Sequence, residues 1–188
     1  MKFLKQTVND RLTLNANGTG KLHWYVDAAF AVHPDFRSHT GGGLTMGKGM
    51  ITSISRKQGM NTRSSTKAEI VAADEVVGPM LWTLRFLQAQ GYKVTDNILY
   101  QDNKSAILLE ENGRKSAGKR SRHLNIRLFF VTDQVEKKNI SIKFCPTDQM
   151  LANYHTKPKH GKQFHWLREQ IMNLPGHSQL LMYAFQSH

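Results

Sequence analysis

The 188-residue chain has a single cysteine, Cys145, so it can form no internal disulfide and suits a reducing compartment. No apolar run approaches the roughly 20 residues of a membrane-spanning helix. The opening "MKFLKQTVND" is too poor in apolar residues for a signal peptide, and no internal repeat is visible. Acidic residues are scarce, 14 against 26 Lys and Arg, giving a formal net charge of +12 and a pI near 10. An excess of that size favours a polyanionic partner, nucleic acid before others, and no membrane. The expectation is a soluble intracellular domain, long enough to bury a core, plus extensions.

What is present is an alternation of strand and helix signals. In "KLHWYVDAAFAV", residues 21 to 32, Leu22, Trp24, Val26, Ala28 and Phe30 point one way, and His23, Tyr25, Asp27, Ala29 and Ala31 the other. Both sets are mostly apolar, the pattern of a strand covered on both faces. Before it stand a short helical stretch and the loop "LNANGTG". "PDFRSHTGG" reads as turn, "GGLTMGKGMITSIS" as a hairpin around Gly47-Lys48-Gly49, and "RKQGMNTRSS" as a basic connector. From Thr66 the period becomes helical, with Ile70, Ala73, Val77, Leu81 and Leu84 on one face, ending near Gly91. Gly78-Pro79 predicts a kink or break, because Pro79 cannot donate to Glu75. "NILYQD" is a strand and "NKSAILLEEN" a helix; "GRKSAGKRSR" is a mobile cationic loop, "HLNIRLFFVTDQVEKK" a helix, and "NISIKFC" a strand ended by Pro146. "TDQMLANYH" predicts a helix capped by Thr147 or Asp148. "FHWLREQIMNL" predicts another, with Phe164, Leu167, Ile171 and Leu174 on one stripe; from Pro175 there is no pattern. This order argues for an α/β layer structure with a mixed sheet.

Asp27 is the misfit, since an unpaired buried carboxylate costs several kcal/mol or changes protonation state. Asp102 closes the fourth strand and Glu69 lies near the start of the long helix, and such strand ends and helix starts are where α/β sheets commonly build sites. Adjacent parallel strands about 4.8 Å apart would bring Asp27 and Asp102 together. Like charges that close repel unless divalent cations bridge them, and oxygen-only ligands select Mg²⁺ or Mn²⁺ over zinc. Each acid also has a plainer reading. Thr66-Lys67-Ala68-Glu69 is a capping box, in which Glu69 binds only the helix start. Asp102-Asn103 fits an Asx turn. Asp74 and Glu75, on another side of the helix, read as solvated.

Seven pieces in order resemble the ribonuclease H domain of copia-type LTR retrotransposons: "YVDAAFA", "GGGLTMGKGMITSISRKQ", "SSTKAEIVAADEVV", "LWTLRFLQAQG", "LYQDNKSAI", "SRHLNIRLFFVTDQVEKK" and "CPTDQMLANYHTKP". The likeness divides the chain into residues 1–20, similar to the end of a connection segment; 21–160, a ribonuclease H-like domain; and 161–188, a C-terminal helix and tail. It implies an α/β ribonuclease H-like fold with a mixed five-stranded sheet flanked by helices. It also implies cleavage of the RNA strand of an RNA–DNA hybrid. Asp27, Glu69 and Asp102 match the family's acids, while Asn153 stands where its fourth carboxylate usually follows "LA". An amide oxygen can ligate a metal but brings no charge, and Asp148, five residues earlier, faces another side. His123 matches a histidine of the family, with a role in proton transfer or product release, at a helix entry, or as a phosphate ligand.

On that resemblance two Mg²⁺ ions, with Mn²⁺ as substitute, would sit between these side chains, Asn153 being a weakened ligand of the second. The expected partners are an RNA–DNA hybrid and the reverse transcriptase domain of the same polyprotein, in a cytoplasmic virus-like particle or the nucleus. Asn103 is a candidate reader of the 2′-hydroxyl. Arg56, Lys57, Arg63, Lys115, Lys119, Arg120 and Arg122 are candidate phosphate contacts. Two other functions stay open: a catalytically weakened hybrid-binding module, raised by Asn153, and a strand-transferase using Asp102 and Glu136, disfavoured by the Asp-Glu-Asp order.

Overall fold

The computed structural model describes residues 7–113 and 122–174. Its elements are β1 (Asn15–Ala16), β2 (Lys21–Ala29), β3 (His39–Thr45), β4 (Gly47–Lys48), β5 (Thr52–Lys57), α1 (Ser65–Ala89), β6 (Asp96–Gln101), α2 (Lys104–Asn112), α3 (Arg122–Glu136), β7 (Ser141–Phe144), a 3₁₀ turn Leu151–His155, and α4 (Gly161–Met172). Five strands form one sheet in the order β5-β3-β2-β6-β7. The β2–β3 and β3–β5 pairs are antiparallel, β2–β6 and β6–β7 parallel, so the sheet is mixed as the element order predicts.

β2 is central because both its faces are apolar. Leu22, Trp24 and Val26 are fully buried and pack with Ala72, Val76 and Met80 of α1 and Val131 of α3. The other face carries Tyr25, which packs with Met50, Leu151 and, from α4, Leu167 and Ile171. Removing either set would leave apolar strand surface in water, at about 25 cal/mol per Å². α4 also ties to the N-terminal segment, with Thr13 N–H donating to Met172 O (3.0 Å) and Asp10 facing Arg168 (3.5 Å). Residues 161–172 are thus built into the second face of the sheet.

Several local expectations are corrected. β2 ends at Ala29 rather than running to Val32: Phe30 is exposed and Ala31 has φ +53°. Residues 7–14 are not helical, and residues 1–6 lie outside the described residues. The stretch read as turn through Gly42 contains the start of β3 at His39. α1 runs unbroken through Gly78-Pro79, which are both exposed, so that a carbonyl deprived of its intrahelical donor can meet water. The segment from Thr147 is no helix but a turn followed by the 3₁₀ turn, whose N-cap is Met150, not Thr147 or Asp148. Asp74 and Glu75 are not solvated but face Arg127 and Arg56 (3.2 Å for the latter) with most of their surface covered. Of residues 113–122, read from the sequence as a mobile cationic loop, 114–121 lie outside the described residues, as does the tail from Pro175.

A second buried acid lies between β6 and α2. Glu110 is fully buried, its Oε1 accepting from Gln101 Nε2 at 3.4 Å while its Oε2 and Gln101 Oε1 have no partner. Burial raises the Glu110 carboxyl well above its usual range, the Gln101 hydrogen bond opposing this and Glu111 adding to it. A neutral carboxyl suits this place because its O–H is a donor, which an ionised one lacks.

Candidate active site

β2 and β6 run parallel in register, Tyr25 opposite Tyr100, and continuing that register by two residues sets Asp27 beside Asp102. Glu69 reaches the same place from α1. The helix is capped by Ser64, whose side chain accepts from Lys67 N–H, so Glu69 does not serve the capping box. Its Oε1 instead accepts from Ala28 N–H of β2 (3.3 Å). One carboxylate oxygen from each of Asp27, Glu69 and Asp102 lies within 4.8 Å of the others. Asp27 and Glu69 are 5% and 4% exposed, so water cannot screen this repulsion.

The protonation equilibria carry that cost. Burial raises the Asp27 carboxyl; a Thr156 hydrogen bond opposes the shift and the Asp102 charge adds to it. Burial raises Glu69 well above the usual carboxylate range, reinforced by Asp27 and then Asp102. Glu69 Oε2 is buried with no hydrogen-bond partner. A buried, unpartnered carboxylate oxygen beside two more carboxylates is the donor set of a hard divalent cation, and Asp27, Glu69 and Asp102 fit such an ion. No cysteine nucleophile competes, since burial pushes the Cys145 thiol up to about 11.

Two threonines hold the acids in place. Thr156 Oγ1 donates to Asp27 Oδ2 (2.5 Å), and Thr147 Oγ1 to Asp102 Oδ2 (2.7 Å). Thr147 therefore orients a carboxylate instead of starting a helix. The approach of Thr156 depends on Gly41, the residue opposite Asp27 on β3. A Cβ there would lie 2.5 Å from Thr156 Cγ2 and 2.7 Å from Ala152 O. Gly41→Ala should push the 3₁₀ turn outward, costing about 1–3 kcal/mol and detaching Thr156 from Asp27; a urea titration measures the first effect and an NMR pH titration of the Asp27 carboxyl the second.

Asn153 is buried in the 3₁₀ turn, its Nδ2 donating to Thr147 O (2.8 Å) and its Oδ1 accepting from Lys159 Nζ (3.4 Å). Its amide thus joins Thr147 to Lys159 beside the triad. His123 is exposed in the first turn of α3, and no contact among the described residues joins it to the acids. Asn103 is the N-cap of α2, its Oδ1 accepting from Ala106 N–H (3.0 Å), one residue beyond Asp102. Arg56 and Lys57 are exposed on β5 and face Glu75 (3.2 Å) and Asp35 (2.6 Å); Arg63 is exposed in the connector. Lys115, Lys119 and Arg120 lie outside the described residues, as does the side chain of Arg122, whose backbone opens α3. Glu136 is exposed at the end of α3 and is not in the acidic group with Asp102, against the strand-transferase reading. The sequence reading missed Thr147 as a carboxylate partner, and Thr156 and Lys159 entirely. The one available signal was their place in "PTDQMLANYHTKPK", around the departing Asn153.

No family model matches the chain. Over 172 residues, 91% of the chain, it is 30% identical to the retrovirus-related Pol polyprotein from transposon TNT 1-94 of Nicotiana tabacum. Over 160 residues, 84% of the chain, it is 30% identical to the Pol polyprotein from transposon RE1 of Arabidopsis thaliana. The chain spans only 13% and 11% of those polyproteins. Among solved structures it is similar to LC11-RNase H1, isolated from compost, with a TM-score of 0.50 and 16% identity over 73% of this chain and 94% of that one. The likeness at that identity concerns the fold. The chain belongs to the retrotransposon Pol polyproteins, as a segment of them with a ribonuclease H-like fold.

Proposed function

We propose that the chain is a divalent-cation-dependent endonuclease that cleaves the RNA strand of RNA–DNA hybrids. It would act within a copia-type polyprotein during reverse transcription, beside a reverse transcriptase domain. The observation that carries this reading is the convergence of Asp27, Glu69 and Asp102 within 4.8 Å, with Glu69 Oε2 buried and unpartnered. The fold and the kinship with Pol polyproteins support it.

Asp27, Glu69 and Asp102 would hold the cation, of which Mg²⁺ is the first candidate and Mn²⁺ a substitute. When bound, such an ion supplies Lewis-acid polarisation of the phosphoryl group and activation of water. The chain's own residues do the rest. Thr156 and Thr147 fix the rotamers of Asp27 and Asp102, so the acids need no rearrangement to act. Lys157 and Lys159, on the rim of a groove of about 520 Å³ that also includes Thr156, present cations to the phosphodiester backbone. Asn103, next to Asp102, is the residue to test for 2′-hydroxyl recognition. Products would carry 5′-phosphate and 3′-hydroxyl ends.

The test is hydrolysis of an end-labelled RNA–DNA hybrid by the full chain. Cleavage of the RNA strand is expected with Mg²⁺ or Mn²⁺, and none with chelator. The neutral amide at Asn153 favours a second reading, a hybrid-binding module with weakened chemistry. If the parent binds hybrid without cutting it and Asn153→Asp gains strong Mg²⁺-dependent cleavage, that second reading is correct.

A further inference from the structure

We infer that the cleft between α4 and the second face of the sheet is a separate nucleic-acid site, one that takes an unpaired nucleotide of a single strand. The inference goes beyond the hybrid-cleavage reading and needs no metal ion. The cleft holds about 710 Å³, within the range of sites that enclose a small organic ligand. It shares no lining residue with the groove of Lys157 and Lys159. Tyr25 of β2 and Trp166 of α4 both line it, together with Leu151. Tyr25 is held in place by Tyr100, whose ring stacks on it at 5.0 Å and 23°, and Tyr100 by His23, at 5.9 Å and 14°. An aromatic wall fixed in advance costs little ordering when a flat ligand stacks on it.

The rim is polar and unengaged. The side-chain amides of Gln149, Gln163 and Gln170 make no hydrogen bond among the described residues, and Asp148 and Lys162 make no ion pair there. An aromatic slot edged by free amides suits a nucleobase, whose faces stack and whose edges carry donors and acceptors. A glutamine amide pairs with adenine through two hydrogen bonds, and a carboxylate such as Asp148 accepts from an exocyclic amino group, so these side chains favour adenine over uracil. The charges fit a strand. Parallel pairing sets Tyr25, Tyr100 and Lys143 side by side across β2, β6 and β7, so the aromatic row runs out to an exposed ammonium. Lys162, also exposed, supplies another on the α4 side. Cations on both sides of the slot match a phosphodiester backbone that enters and leaves it, where a free nucleotide carries its phosphate on one side only.

Fluorescence anisotropy of end-labelled oligo(rA) and oligo(rU), about eight nucleotides long, with the full chain in chelator tests this. Chelator leaves the oligomers uncut, and melting curves check that each variant is folded. The wild type should bind oligo(rA) more tightly than oligo(rU), and AMP should compete only weakly. Trp166→Leu should weaken oligo(rA) binding about tenfold, the loss expected for one stacking partner. Because Trp166 also packs with Leu167 and Ile171, Gln163→Glu is the second variant; Gln163 is exposed, and a carboxylate there repels the strand and removes an amide donor. Unchanged binding by either folded variant, equal affinity for the two oligomers, or AMP that competes as well as unlabelled oligo(rA) would overturn the inference. A chain that cuts hybrid but fails to bind oligo(rA) removes this inference and keeps the nuclease reading; one that binds oligo(rA) through the cleft and leaves hybrid intact does the reverse.

Discussion

Asp27→Asn is expected to act in opposite directions on chemistry and on stability. Hybrid cleavage should fall by about 10²–10³ or more, the size of effect seen when one preorganised electrostatic group is removed. The metal-free protein should melt about 2–4 °C higher, the shift that roughly 1 kcal/mol produces in a chain of this size. Asp27 is 5% exposed beside Glu69 and Asp102, so its ionised form is paid for by the rest of the fold. Asparagine keeps an oxygen to accept from Thr156 Oγ1 while removing the charge. Cleavage rates and differential scanning calorimetry in chelator measure the pair. Loss of cleavage together with a lower melting temperature would mean that Asp27 is structural.

Stability without metal should decline as pH rises above the ordinary carboxylate range. Asp27, Glu69 and Glu110 all have raised folded-state values, burial being the first cause for each. The unfolded chain releases these protons near the ordinary values of 3.8 for Asp and 4.5 for Glu, while the folded chain still holds them. In that window the native state binds more protons than the unfolded one, so stability falls with pH, by up to about 1.4 kcal/mol per pH unit for each group. The contribution is fully present below the unfolded values and is lost as pH climbs through the folded ones. Glu110→Gln should reduce the slope while leaving the three metal ligands in place, because Glu110 is not in the metal-binding group. Added Mg²⁺ competes with protons for the triad and should stabilise more at pH 8 than at pH 5.5, approaching about 2.7 kcal/mol at a hundred times its Kd. Urea titrations across pH, with Mg²⁺ or chelator, check both trends. A metal-free stability that rises with pH just above the ordinary carboxylate range, below the range where the histidines titrate, would contradict the account.

Asp27 was legible in the sequence because an acid among alternating apolar residues has no local way to be satisfied. Its neighbour Asp102 followed from the parallel pairing that the strand and helix order implied. The rest of the site was hidden for identifiable reasons. Gly41 reads as turn because glycine is unfavourable within strands, yet it serves the strand by admitting Thr156 and Ala152, more than a hundred residues away. Thr147 looks like a helix cap because a hydroxyl before a helical pattern has the same local signature whether it binds its own backbone or, as here, a carboxylate 45 residues earlier. Asp74 and Glu75 look solvated because their arginines are 53 and 19 residues distant. Asn153 was visible as an amide where the resembled family has an acid, but its tie to Lys159 required the 3₁₀ turn to be seen.

The central claim is that Asp27, Glu69 and Asp102 form one divalent-cation site. The measurement that tests it most directly is anomalous scattering from a crystal of the full chain soaked in MnCl₂. The account predicts a manganese peak within coordination distance of all three carboxylates, absent from the Asp27→Asn variant. Manganese bound only elsewhere, with Glu69 Oε2 still unpartnered, would contradict it.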